Sequence, residues 1–137
     1  MAYWLIKSEP DSWSWDSQFK SGKAEAWTGV RNHTAKQYLQ AMKKGDRAFF
    51  YHSNVGKEIV GIVEVVREHY PDPSDKTGKF VVVDVKAEKP VPTPVTLEAV
   101  KTEPKLKDMA LVKFLRLSVQ PVTDAEWKQV CKMGGVK

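Results

Sequence analysis

Apolar positions along the chain follow two different periods, and the points where the period changes mark the elements. Tyr3-Trp4-Leu5-Ile6-Lys7 is a short apolar run that reads as a buried strand, and Pro10, which has no N–H to give to a ladder, ends it. Residues 12–20 are polar apart from Trp13, Trp15 and Phe19, which leaves room for one short helical turn before Ser21-Gly22. Ala35, Tyr38, Leu39 and Met42 then recur at i, i+3, i+4 and i+7, one face of a helix. Thr34 and Gln37 have capping-box spacing at its start. Lys43 and Lys44 suit the negative end of its dipole, and Gly45 stands where a C′ glycine belongs.

Three strand-like runs follow. Residues 47–53 are aromatic and stop at the turn Asn54-Val55-Gly56. Residues 58–70 carry Ile59, Val60, Ile62, Val63, Val65 and Val66, with Gly61 among them as the mark of a bulge or of a close approach to the backbone. After a polar loop at 71–78, residues 80–87 alternate with period two. Pro90-Val91-Pro92-Thr93-Pro94 reads as an extended surface connector within the domain. Short helices are expected over 97–101 and 107–111, and a closing strand over 115–122. A second capping box, Thr123 with Glu126, opens a C-terminal helix through Val130 to Lys132, ended by Gly134 and Gly135. Strands do not alternate regularly with long helices, which argues against a doubly wound parallel sheet. The expectation is a single α+β domain over 1–137, a small, mostly antiparallel barrel with short helices.

Composition narrows the function classes. An apolar share of 42% supports one core. Lys plus Arg number 22 against 17 Asp plus Glu, a net charge of 22 − 17 = +5, which suits a polyanion such as nucleic acid without demanding one. Cys131 is the single cysteine, so no internal disulfide forms, and on the C-terminal helix it reads as a small buried hydrophobe. The N-terminal segment is charged by Lys7 and lacks the apolar centre of a signal peptide, and no apolar run approaches the ~20 residues that span a bilayer. A cytoplasmic protein, nuclear in a eukaryote, with no membrane partner is expected. His33, His52 and His69 share no metal spacing with Cys131. There is no phosphate loop, dinucleotide fingerprint or nucleophile elbow. No metal, cofactor or catalytic residue is assigned.

Candidate chemistry lies in three clusters. Trp27-Thr28-Gly29-Val30-Arg31-Asn32 brings an aromatic, a glycine, a cation and an amide to a turn just before a helix N-terminus, where unpaired N–H groups favour anions. There Trp27 stacks a base, Arg31 meets a phosphate and Asn32 reads a base edge; alternatively, Asn32 is a helix cap and Arg31 a surface charge. Tyr51-His52-Ser53-Asn54 ends an aromatic strand in hydrogen-bonding side chains, as either a ligand site or a strand reaching solvent. Lys7-Ser8-Glu9-Pro10 is a third strand exit, with a plain turn as its simpler reading. Trp4 and Trp127 read as core, while Trp13 and Trp15 either pack over the barrel or line a groove.

Taken in order with their spacings, these segments resemble the EVE domain of the PUA-like superfamily over nearly the whole chain. The landmarks are Tyr3 to Pro10, Trp27 to Asn32, Phe50 to Asn54, Gly61 to Val65, Tyr70-Pro71-Asp72 and Leu117-Ser118-Val119-Gln120-Pro121-Val122. In the second landmark the family often carries Asp before the glycine, where this chain has Thr28. The resemblance implies a pseudo-β-barrel of five to six mostly antiparallel strands with flanking short helices, of the stand-alone bacterial type. It also implies binding of nucleic acid, RNA or DNA, through a modified base, as related YTH and PUA-like readers flip a base into a pocket at the barrel mouth. Lys7, Ser8, Trp27, Val30, Arg31, Asn32, Tyr51, His52, Ser53, Leu117 and Ser118 then line one cavity. Trp27 and Tyr51 offer flat faces, Ser8, Asn32 and Ser53 meet the base edge, and Val30 or Leu117 receives a methyl group. Two rivals remain: a small hydrolase or nuclease using His52 and Ser53, and a protein-interaction module anchored by Trp13 and Trp15.

Overall fold

The computed structural model describes residues 2–136. In chain order the elements are β1 (Tyr3–Ser8), α1 (Trp15–Ser21), β2 (Glu25–Ala26), α2 (His33–Ala41), β3 (Arg47–His52), β4 (Glu58–Pro71), β5 (Val81–Thr96), α3 (Leu97–Thr102), a 3₁₀ turn at Pro104–Leu106, α4 (Ala110–Lys113), β6 (Val119–Val122) and α5 (Asp124–Gly134). The strands form one six-stranded sheet in the order β2-β5-β4-β3-β1-β6. Among the described residues only β1 and β3 run parallel; the other pairs are antiparallel. The ladder does not join β2 to β6, so the sheet is an open pseudo-barrel, mostly antiparallel as expected.

Both faces of the sheet are buried, which is why β1 and β4 read as continuous apolar runs rather than alternating ones. On one face Trp4, Ile6, Phe50, Val63, Val65, Val83, Val85 and Val119 pack with Trp15, Trp27 and Ala35 and Leu39 of α2. On the other, Leu5, Phe49, Tyr51, Ile59, Ile62, Val91 and Val95 are covered by Val100, Leu106, Leu111, Trp127 and Val130 from the C-terminal helical segments. Between β4 and β5 the register shifts repeatedly, and each bulge bends the pair. One shift lies at Gly61, where an added Cβ would sit 2.4 Å from the Trp15 ring. Gly61 is therefore both a bulge and a close approach.

Several local expectations are corrected. The stretch 12–20 holds a seven-residue helix, α1, because Ser14 caps it by accepting from Ser17 N. Asn32, not Thr34, caps α2: its Oδ1 accepts from Ala35 N at 2.9 Å, and Asn is the stronger cap. α2 ends at Ala41, so Lys43 and Lys44 lie beyond it, and Gly45 (φ 96°) serves the following turn. Pro90 to Pro94 are part of β5 rather than a connector. β2 pairs only with Val85 and Asp84, so among the described residues that stretch has a free edge where a missing N–H breaks no ladder bond. The closing strand begins at Val119 rather than 115, because buried Gln120 Nε2 donates to Phe114 O (2.8 Å) and Leu117 O (3.0 Å) and holds 114–117 as a turn. The helix expected over 107–111 falls at Ala110–Lys113, after the 3₁₀ turn. α5 starts on the predicted capping box, with Thr123 Oγ1 accepting from Glu126 N and Glu126 Oε1 from Thr123 N. Among the described residues no helix is long and apolar enough to cross a membrane.

Candidate functional site

Because β1 and β3 are parallel, their C-terminal exits lie at the same end of the sheet, with Ser8 opposite His52. Ser53 N donates to Ser8 O (2.9 Å) and Lys7 N to Ser118 O (3.0 Å), so the strand exits and the segment before β6 meet there. Trp27 reaches the same end from β2, its N–H donating to Val83 O at 2.9 Å. Its indole meets Phe50 edge-on, at 5.5 Å and 84°. A cavity of about 590 Å³ opens between these parts. Lys7, Ser8, Glu9, Ser12 and Trp13 form one wall and residues 25–29 the other. The volume is that of small-ligand sites, which span roughly 300–1,000 Å³. Trp13 is fixed by two bonds: its Nε1 donates to Gln18 Oε1 (2.8 Å) and its carbonyl accepts from Ser8 Oγ.

The turn carrying Trp27 is organised by Asp72, a buried carboxylate at the end of β4. Asp72 Oδ2 accepts from Gly29 N (3.1 Å) and Arg31 Nη1 (3.0 Å), and Oδ1 from Ser74 N (2.7 Å) and Ser74 Oγ (2.6 Å). Burial pushes its carboxyl pKa up, but the hydrogen bonds from Ser74, Arg31 and Gly29 outweigh that and hold it below the usual value. Gly29 itself has φ 83°, a conformation that favours glycine.

Burial shifts two basic groups at this end of the sheet. Burial lowers the Lys7 ammonium to about 8, and its Nζ donates to Leu115 O at 2.6 Å. Burial also lowers the His52 imidazole, against the opposing fields of Glu58 and Asp16. His52 Nε2 accepts from Trp15 N at 2.9 Å, which satisfies the first N–H of α1 and ties that helix to the end of β3.

The EVE domain model matches residues 2–133. The chain belongs to the EVE domain family. A solved structure of Rpa0253 from Rhodopseudomonas palustris is 69% identical to it, covering 99% of this chain and 94% of that one, with a TM-score of 0.94. Thymocyte nuclear protein 1 of Mus musculus is 38% identical over 158 residues, 91% of this chain and 70% of that protein. Human THYN1 protein, solved in complex with 5-methylcytosine containing DNA, is 33% identical with a TM-score of 0.88, covering 98% of each chain.

In this EVE domain the residues singled out from sequence fall into distinct places. Lys7, Ser8 and Trp27 line the cavity together. Asn32 and Leu117 line a second hollow of about 520 Å³, with Tyr38 and residues 113–116. Lys7 bridges the two hollows, since its ammonium holds the Leu115 carbonyl. Val30 is in the core beside the cavity, and Arg31 is committed to Asp72. Tyr51 belongs to the opposite core, with the Lys7 ammonium 5.8 Å from its ring centre. His52 holds α1, while Ser53 and Ser118 join the strand exits through their backbones. Sequence reasoning did not put Glu9, Ser12, Glu25 or Thr28 in the cavity wall, and it left Trp13 undecided. Asp72 was also missed as an organising residue, although it lies within a family landmark. A carboxylate needed by the glycine turn was the available signal, and here it comes from Asp72 rather than from position 28.

Proposed function

We propose that this EVE domain binds nucleic acid by taking one modified base into the cavity beside Trp27. The observation that carries the reading is the human THYN1 protein solved with 5-methylcytosine containing DNA, which aligns with 98% of this chain. The cavity is consistent with that chemistry. Trp27 and Trp13 offer indole surface for stacking, worth roughly 1–3 kcal/mol per base. Ser8, Ser12 and Thr28 hydrogen-bond a base edge, and Glu9 and Glu25 accept from an exocyclic amine. Val30, packed in the same core cluster as Trp27, is the candidate apolar contact for a methyl group. Lys7 supplies the cation at the cavity rim, while Arg31, Asn32 and His52 hold the surrounding turn and helices, Ser53 and Ser118 join the strand exits, and Tyr51 packs on the far side of the sheet. Extruding a paired base costs a few kcal/mol, least for unpaired or damaged sites, so single-stranded or easily opened substrates bind best. The cations at the rim add a salt-dependent share. A reader of that kind works in the cytoplasm, or in the nucleus of a eukaryote. The hydrolase alternative is not favoured, because the His52 Nε2 lone pair that a base would use is occupied by Trp15 N–H.

The test is a binding panel of short single- and double-stranded oligonucleotides with and without 5-methylcytosine or other modified bases. The parent chain prefers the modified strands; Trp27→Ala and the more exposed Trp13→Ala lose that preference while circular dichroism reports a retained fold. Unchanged preference in both variants would refute the cavity assignment, and absence of nucleic-acid binding would refute the function.

A further inference from the structure

The turn between α4 and β6 exposes two large apolar side chains next to each other, Phe114 at 59% and Leu115 at 53%. The backbone beneath them is pinned by hydrogen bonds. Phe114 O accepts from Gln120 Nε2 (2.8 Å) and Leu117 N (3.1 Å), and Leu115 O accepts from Lys7 Nζ (2.6 Å). Gln120 is fully buried and Lys7 belongs to the wall of the base cavity, so the turn is anchored to the core on one side and to the cavity on the other. Arg116 follows immediately, exposed and without an ion pair among the described residues, and Lys113 precedes, exposed and paired with the exposed Asp108 at 3.2 Å. The surface is thus an apolar tip flanked by cations, one residue from the rim of the cavity.

A duplex is the partner that fits such a tip. Removing a base from a stack leaves an apolar gap between neighbouring base pairs, bordered by phosphates. Proteins that unstack duplexes insert Phe or Leu wedges between base steps, and an emptied step offers such a wedge an apolar seat. Building on the base-binding reading above, we propose that Phe114 and Leu115 form a wedge that enters the duplex where the base has left, with Arg116 and Lys113 on the adjoining phosphates. The wedge acts only on paired substrate. A single strand has no gap to fill and needs only the cavity.

The experiment compares the parent chain with Phe114→Ala/Leu115→Ala. Both side chains are more than half exposed, so the fold tolerates the change. Three substrates are titrated: a single strand with one 5-methylcytosine, the matching duplex, and that duplex with 2-aminopurine beside the modified base to report unstacking. The variant binds the single strand within about twofold of the parent, binds the duplex roughly tenfold or more weakly, and gives little 2-aminopurine signal. Equal duplex binding and equal fluorescence in both proteins would overturn the wedge and leave the tip as a protein contact. A parent that binds the modified single strand but not the duplex would overturn it as well. A parent that ignores the modification on the single strand would refute the base-binding reading itself, a result distinguishable from both.

Discussion

Trp27 and Trp127 are buried to nearly the same degree, 8% and 7% exposed, and both belong to aromatic clusters on the sheet. Their rings are used differently. Trp127 stacks flat on Phe49 (3.9 Å, 16°) and on Tyr3 (4.3 Å, 14°), so its indole surface is spent on the chain's own rings. Trp27 meets Phe50 edge-on and has no flat stacking partner among the described residues, while it borders a cavity. Burial alone therefore does not separate a tryptophan stacked within the core from one that borders a cavity. The neighbouring rings and space differ: Trp127 is stacked flat on two rings, whereas Trp27 has no flat stack among the described residues and borders a cavity.

Paired substitutions sharpen that contrast most strongly. Trp127→Ala and Trp27→Ala each lower unfolding free energy in urea by about 3–5 kcal/mol, as large core truncations do. Only Trp27→Ala abolishes preference for a modified base in the protein that remains folded. Equal loss of preference in Trp127→Ala would erase the distinction. Next in size, Asp72→Ala releases the turn that carries Trp27. It removes the acceptor for Gly29 N, Arg31 and Ser74, lowers stability by about 2 kcal/mol and weakens oligonucleotide binding, both measurable on one preparation.

Smaller effects follow from the two titratable groups. The folded His52 pKa lies below its ordinary 6.5, so between the two values the unfolded chain binds more protons and stability falls as pH drops through that window. Protonation also removes the acceptor for Trp15 N. In His52→Gln, where an amide oxygen accepts without titrating, the fall in urea midpoint from pH 7 to 5 becomes shallower. For Lys7 the folded value is near 8 and the unfolded value 10.5, so stability gains as pH rises between them. The ammonium available to phosphate declines over the lower part of that range. Oligonucleotide affinity therefore falls from pH 7 to 9, and Lys7→Gln binds more weakly with a flatter profile.

Much of this fold was legible where local chemistry and tertiary context agree. The Thr123–Glu126 box marks α5 because both of its bonds are local, and Gly61 announces a tight contact because nothing larger fits under Trp15. Readings failed where a distant partner decides. Pro90 to Pro94 make a strand because that edge of β5 is free, and residues 115–118 leave the strand because Gln120 holds the Phe114 and Leu117 carbonyls in a turn. β2 spans only Glu25–Ala26, too short to show any period. At the site, Lys7, Ser8 and Trp27 come from strand exits and a glycine turn that the sequence displays. Asn32 as a cap is one of the two open readings, settled by the position of Ala35 N, whereas Arg31, read as a phosphate contact or a surface charge, instead pairs with Asp72, which sequence spacing does not show.

The most direct measurement follows the indole N–H resonances of the five tryptophans by NMR while a single strand bearing one 5-methylcytosine is added. The account predicts that the Trp27 and Trp13 signals shift and saturate while Trp127 stays fixed. A Trp27 resonance that does not move as the strand binds would contradict it.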